Sequence, residues 1–455
     1  MLVIVSDIHL GDGTCGMSIS PSAFHLFADR LQELAFNASW KSNGTYSPIE
    51  QIDVLLMGDI LDPLHSARWL EKSPAEPGYV RPWTDTGRPE YADKLKEITR
   101  AILENNAESA RVLKELGEKG FTLPRQAHED YSVASSPDSV PVRISCHYMV
   151  GNHDWYYHLP GPAFEAIRQE IIAALGLSNP AGPFPHELRE SDELQHLLAG
   201  YQVYAQHGDL YDNFNYDREK GRDVSTIGDA FAVEIINRFP VEAERRMKED
   251  LPPGLLESLH ELVNVRPALA TPLWISSQLR QNDISLPVQE KLKDLWDELG
   301  NEFLSLPLVR AADKRGRFDI VDGMEMAIKI TDRFSFKTID ELVVWIRKKF
   351  SSEEITFAKH ALKEEAFLDR TAQFIVYGHT HHHEIVPLDS YYRAVRPTSQ
   401  IYFNSGTWHT YFDLAIYKPE EQKFIPYQVL TYLTFYKEDE RGGRRFETWS
   451  GAFSD

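Results

Sequence analysis

The chain has 455 residues, 42% hydrophobic and 26% charged, with 48 Lys and Arg against 69 Asp and Glu for a formal net charge of −21. Such an acidic surface argues against duplex nucleic acid and anionic membranes, whose phosphates are gripped by Lys and Arg, and leaves room for a small phosphorylated or nucleotide-like partner. Two cysteines, Cys15 and Cys146, are too few for a disulfide framework or a four-thiolate zinc site; they read as small buried hydrophobes in a reduced, cytoplasmic setting.

In chain order, the opening Met1-Leu2-Val3-Ile4-Val5 reaches Asp7 too soon for a signal peptide, and no apolar run approaches the about 18 residues of a membrane span. Leu2–Val5 is the first predicted strand and runs straight into Ser6-Asp7-Ile8-His9. Ser20-Pro21 reads as an N-cap with proline at the first helical position, and Phe24, Phe27, Leu31 and Leu34 mark the buried face of that helix. A second strand, Val54–Met57, ends in Gly58-Asp59-Ile60-Leu61-Asp62. A long helix is predicted over 91–119 and a Pro/Ser-rich surface loop over 122–143. A third strand, Tyr148–Val150, precedes Gly151-Asn152-His153-Asp154. A helix over 164–175 leads to a fourth strand, Val203–Ala205, and to His207-Gly208-Asp209.

From 226 to 371 almost nothing is strand-like. Segments 226–250, 254–264, 287–304 and 338–370 carry helical apolar spacing, as in Leu342, Val343, Ile346 and Phe350. Strands return at Phe374–Tyr377, before Gly378-His379-Thr380-His381, and at Ile401–Phe403, before Asn404-Ser405-Gly406-Thr407. Short runs rich in Val, Ile and aromatics, closed by glycine, read as buried strands. Their alternation with helices predicts an α/β architecture.

Five polar clusters thus fall at strand ends, where ligand sites form in open α/β sheets. Taken singly, each is an ordinary turn signal. Together they offer Asp, Asn and His side chains, a donor set suited to Mn, Fe, Zn or Ni rather than to a thiolate-loving ion. Asp7 and His9, at i and i+2 of a strand, would share a face.

D-x-H, G-D-x-x-D, G-N-H-D, a strand-terminal His and G-H-T-H, in this order, resemble the calcineurin-like metallophosphoesterase superfamily over residues 1–212 and 370–430. The resemblance implies a two-sheet sandwich in four layers, α/β/β/α, here with a large helical insertion. It also implies a dinuclear centre holding two divalent ions, Mn2+ first, with Fe, Zn or Ni as alternatives. Asp7, His9 and His381 would hold one ion, Asn152, His207 and His379 the other, and Asp59 would bridge them. A hydroxide shared by two ions about 3.5–4 Å apart would attack the phosphorus. His153 would act as general acid, oriented by Asp154.

The expected domain division is a discontinuous catalytic domain, 1–212 with 366–440, a helical cap or oligomerisation element at 213–365, and a tail at 441–455. The insertion holds 23 Lys and Arg against 28 Asp and Glu, so it is no basic clamp for a duplex. "HGDLYD" and "YGHTHHHEIVPL" are also similar to UDP-diacylglucosamine pyrophosphohydrolases, which carry Arg where this chain has His153 and lack so large an insertion. The alternatives are a nuclease acting on single strands, sharing G-N-H-D, and a non-catalytic scaffold on the same fold.

Weaker candidates surround the motifs. Asp62, Asp209 and Asp212 read either as acceptors for ligand histidines or as local caps. His382 and His383 read as exposed neighbours, and Asn404 as a turn residue or a hydrogen-bonding neighbour of the site. Trp155-Tyr156-Tyr157-His158 would stack a base or pack against helices. His65 and Arg68 would contact a distal phosphate. Arg310, Lys314, Arg315 and Arg317 form either a solvated helix end or a phosphate grip.

Overall fold

The apolar runs are uninterrupted because the strands they form are covered on both faces, the pattern expected of parallel strands inside a layered α/β structure. The computed structural model describes residues 1–128, 138–266, 271–313, 357–393, 396–415 and 423–453. The strands are β1 (Leu2–Val5), β2 (Gln51–Met57), β3 (Phe121–Pro124), β4 (Ser139–Met149), β5 (Val203–Ala205) and β6 (Val265–Arg266). They continue with β7 (Phe374–Tyr377), β8 (His383–Arg393), β9 (Arg396–Ser405), β10 (Trp408–Leu414), β11 (Phe424–Phe435) and β12 (Phe446–Phe453).

They form two sheets. One has the order β3-β4-β2-β1-β11-β10-β6, with β12 paired to β11; the other runs β5-β7-β9-β8. The neighbours β4, β2 and β1 are parallel, as are β5, β7 and β9. Alternate residues face opposite layers. Leu2, Ile4, Leu55 and Met57 of the larger sheet meet Ala205, Phe374, Val376 and Phe403 of the smaller in one core. Val3, Val5, Val54 and Leu56 face the other way, onto helices α1 (Pro21–Ala38), α2 (Pro89–Asn105), α3 (Ala107–Lys119) and α4 (Pro162–Leu175). Ile375 and Tyr377 face outward onto Phe357 and Ala361. The protein is a mixed α/β sandwich.

Helix α1 starts as its sequence dictates, with Ser20 Oγ accepting from Ser22 N and Pro21 at the first position. The single helix predicted over 91–119 is two, broken at Asn106. The Asn106 side chain donates 2.8 Å hydrogen bonds to Ile102 O and to Gly11 O, so its amide competes with the helix and ties the break to the loop after β1. The loop predicted over 122–143 begins and ends in strand: Leu123 pairs with Val140 and Phe121 with Val142.

The stretch after residue 226 is mainly helical among the described residues: Ile227–Phe231, a π-helical turn Ala232–Asn237, Arg238–Met247, Pro253–His260, Thr271–Gln281, Leu286–Ser305 and Pro307–Asp313. Its own apolar core includes Leu255, Leu259, Leu292 and Leu299. The expectation of almost no strand there needs one amendment, because β6 adds to the edge of the large sheet beside β10. Leu342, Val343, Ile346 and Phe350 lie outside the described residues. The segment set apart above as a tail carries β12, eight residues paired along β11. No described helix is long and apolar enough to cross a membrane.

Candidate metal centre

Beyond the carboxyl ends of β1, β2, β4, β5 and β7 the chain turns sharply, and the turns aim seven side chains at one place. Asp7 and His9 do not share a strand face. β1 stops at Val5, and both residues adopt left-handed backbone, φ 54° and 51°. Asp59, His379 and His381 do the same, φ 55°, 68° and 64°. Among the described residues nine non-glycine residues have positive φ, and these five are the majority. Such conformations cost free energy and persist where surrounding structure imposes them.

The imposing structure is visible. Asp7 N donates to Gly58 O at 3.0 Å and His9 N to Asp59 O at 2.9 Å, zipping the first two turns together. Thr407 Oγ1 holds Asp7 O at 2.7 Å, and Asn404 Nδ2 holds Gly378 O at 2.7 Å. Asn404 is therefore a structural neighbour of the site. Glycine is required where these turns touch. A Cβ on Gly151 would lie 2.3 Å from Asp59 Oδ1, and one on Gly378 would lie 2.6 Å from Asp7 Oδ2.

Two donor clusters result. In the first, His381 Nε2 is 3.3 Å from Asp7 Oδ1 and 3.1 Å from His9 Nε2. In the second, Asn152 Oδ1 is 3.1 Å from His207 Nε2 and 2.9 Å from His379 Nδ1. Asp59 Oδ2 stands between them, 3.9 Å from His9 Nε2 and 3.2 Å from His207 Nε2. Adjacent donors around an octahedral ion with bonds of about 2.1 Å are about 3 Å apart. The groups Asp7–His9–His381 and Asp59–His207–His379 each have donor atoms spaced as a metal site requires.

The decisive fit is one atom. Asp59 is 1% exposed, and its Oδ2 has no hydrogen-bond partner among the described residues; His207 Nε2 approaches without hydrogen-bond alignment. A buried carboxylate oxygen facing imidazole nitrogens on two sides suits a bridging cation. Without metal the imidazoles take up protons instead. Burial opposes charge on His207, yet Asp59 and Asp7 outweigh it and lift its pKa to about 10. Asp59 is moved oppositely: burial would raise it, but the charges of His207 and His153 hold it well below the carboxylate range.

His153 lies beside both clusters, and its backbone N–H donates to Asp59 Oδ1 at 2.8 Å. Burial would lower its pKa; the charges of Asp62 and Asp59 prevail and raise it to about 9. The structure corrects the role expected of Asp154. That carboxylate does not reach the imidazole. It accepts from Gly151 N at 2.6 Å, Ile60 N at 3.0 Å and the Tyr148 hydroxyl at 2.6 Å, bracing the third turn. Burial first, then the Asp59 charge, lift it to about 7. Asp62 takes the orienting position. Its Oδ2 is 3.0 Å from His153 Nδ1, 2.9 Å from His9 Nδ1 and 2.8 Å from His65 Nδ1.

Asp212 accepts at 3.1 Å from His379 Nε2, leaving Nδ1 for the second cluster. Asp209 instead pairs with Arg222 and with His186, 3.1 Å away. Trp155, Tyr156 and Tyr157 are fully buried, Tyr156 stacked on Trp69 and Trp155, and Tyr157 edge-on to Tyr148, rather than offering a stacking surface. Arg68, expected to meet a distal phosphate, pairs with Asp12 and Glu97. His382 is exposed, and His383 Nδ1 faces Asn404 O at 3.0 Å. Arg310 is exposed; Lys314, Arg315 and Arg317 lie outside the described residues.

Two neighbours were missed. His409 and Tyr411, at i and i+2 of β10, share a face turned to the first cluster. The His409 ring is 5.3 Å from that of His9, and the Tyr411 hydroxyl is 2.9 Å from His381 Nδ1. Their only signal was the alternation in "WHTYFDL". No protein-family model matches the chain, and no curated protein matches it.

Proposed function

We propose that the chain is a dinuclear metal-dependent phosphoesterase of the calcineurin-like type, hydrolysing a phosphate ester, phosphodiester or pyrophosphate bond. The observation that carries the proposal is the buried Asp59 Oδ2, without an aligned hydrogen bond among the described residues, between two donor clusters. The helix–sheet–sheet–helix layering and the order of the strand-end motifs support it.

Asp7, His9 and His381 would hold one ion and Asn152, His207 and His379 the other, with Asp59 between. Bound divalent ions, Mn2+ first, would supply the positive charge that neutralises a phosphoryl group and acidifies water. The chain's own part is positional. His153 has Nδ1–H on Asp62, which leaves Nε2–H to bond a phosphoryl oxygen and to deliver a proton to the departing oxygen. The charge of Asp62 and its hydrogen bond favour the protonated imidazole. Asp62 links this acid to His9, so one carboxylate sets the attitude of a ligand and of the acid together.

The test is hydrolysis of p-nitrophenyl mono- and diesters with Mn2+, Ni2+, Zn2+ or EDTA. Turnover that requires metal, and that falls by about 10²–10⁴ in His153→Gln, is the expected result. No turnover with any metal contradicts the proposal.

A further inference from the structure

The two donor clusters are braced differently. The first is held by bonds among strand-end turns: Asp7 N on Gly58 O, His9 N on Asp59 O and Thr407 Oγ1 on Asp7 O. The second is also reached from outside the sheets. Arg222 lies in the loop, 213–225, that leads into the helical stretch, and its side chain is 7% exposed.

The guanidinium touches two turns that each supply a ligand to the second cluster. Its Nη1 donates to Gly151 O at 3.3 Å, and its Nη2 pairs with the Asp209 carboxylate. Gly151 O belongs to the same peptide plane as Asn152 N, so this bond acts on the backbone of Asn152 itself. Asp209 is two residues beyond His207 and is 0% exposed. One planar fork therefore spans the third and fourth turns. The Tyr216 ring, from the same loop, lies 5.1 Å from the guanidinium carbon and packs against it.

The span matters because the two turns leave no slack between them. A Cβ on Gly151 would lie 2.7 Å from His207 Nε2, and Asn152 Oδ1 is 3.1 Å from that nitrogen. Metal ligands have to be held within about 0.5 Å of their working geometry. Any tilt of the peptide at Gly151 O carries Asn152 with it. Arginine is the side chain suited to this place. Asp209 needs a counter-charge because a buried carboxylate without one is costly. A lysine ammonium would supply the charge, but as a single point it has no fork to reach Gly151 O as well. Among the described residues Arg222 has no hydrogen bond or ion pair with Asp7, His9 or His381.

Resting on the two-ion reading above, we infer that Arg222 is a positioning residue for the second ion. It fixes Asn152 against His207, and the loop that opens the helical stretch thereby sets the affinity of one ion and not of the other.

The experiment titrates Mn2+ into the full chain by calorimetry and electron paramagnetic resonance. It compares wild type with Arg222→Lys and with the double variant Arg222→Met, Asp209→Asn, which leaves no buried charge unmet. Wild type should bind two ions and give the signal of a coupled pair. In both variants one dissociation constant should rise at least about tenfold while the other stays within about twofold of wild type, and the signal of an isolated ion should persist to higher Mn2+. In crystals soaked at limiting Mn2+, the anomalous peak should fade beside His207 rather than beside His381. A residue that only stabilised the fold would move both constants together or neither. Both constants unchanged, both raised in parallel, the peak fading beside His381, or neither variant folding overturns the inference and leaves the two-ion reading standing. A wild-type chain that binds no ion pair overturns that reading, and the role of Arg222 with it.

Discussion

The strand-end turns and the helical stretch over 227–313 treat local preference in opposite ways. In the helices capping, proline placement and apolar spacing agree with the fold. Thr226 and Asp229 make a reciprocal capping box, Pro253 and Pro287 stand in first turns, and Leu292, Leu295, Leu299 and Phe303 repeat at helical spacing along a buried stripe. In the turns the choices oppose it. Carboxylates and imidazoles are buried or half-buried, five of them on left-handed backbone, and one carboxylate oxygen is left without an aligned hydrogen bond. Natural chains break local rules where function requires it. The contrast therefore sets the turns apart as the candidate site and the helices as the support beside it.

The sharpest way to break this contrast is Asp59→Asn. It should weaken Mn2+ binding by more than about a hundredfold in calorimetry and remove turnover, and it should lower the melting temperature of the metal-free chain at neutral pH, because protonated His207 loses the buried carboxylate it faces. Mn2+ binding unchanged in Asp59→Asn would mean that Asp59 is structural only. Leu299→Ala should separate the two effects. It empties part of a fully buried position and should cost about 2–5 kcal/mol in urea unfolding, with the number of Mn2+ ions bound per chain unchanged.

The smallest effect concerns a bridge from the segment after the third turn to the loop that leads into the helical stretch. His158 Nδ1 is 2.7 Å from Asp223 Oδ1, and Nε2 is 3.5 Å from Glu190 Oε2. Burial would lower its pKa, but hydrogen bonds to Asp223 and Glu190 outweigh burial and raise it from 6.5 to about 9. A pKa raised on folding stabilises fully below the unfolded value and fades as pH climbs through the folded one. The melting-temperature gap between wild type and His158→Gln should be widest below pH 6.5 and close above about pH 9. A gap independent of pH would refute the charged bridge.

The same contrast explains what was legible in the sequence. The runs Leu2–Val5, Val203–Ala205 and Phe374–Tyr377 are strands at those bounds, because strands covered on both faces need unbroken apolar sequence. The strands β8, β10, β11 and β12 were not anticipated. In "FIPYQVLTYLTF" polar and apolar residues mix, since part of β11 is exposed. In the site, the residue types and their order were readable, but the path of the backbone was not. Asp7 and His9 converge through two left-handed residues, a conformation no spacing rule assigns to Asp and His. Asp62 displaced Asp154 as partner of His153 because the GNHD turn directs Asp154 inward onto backbone N–H groups.

The central claim is that seven side chains from five strand ends hold two cations on either side of Asp59. A crystal structure of the Mn2+-soaked chain, with anomalous scattering recorded at the manganese edge, tests it directly. The account predicts two peaks about 3.5–4 Å apart flanking Asp59 Oδ2, one against Asp7, His9 and His381 and one against Asn152, His207 and His379. No peak there, or a single ion leaving one cluster bare at saturating Mn2+, would contradict it.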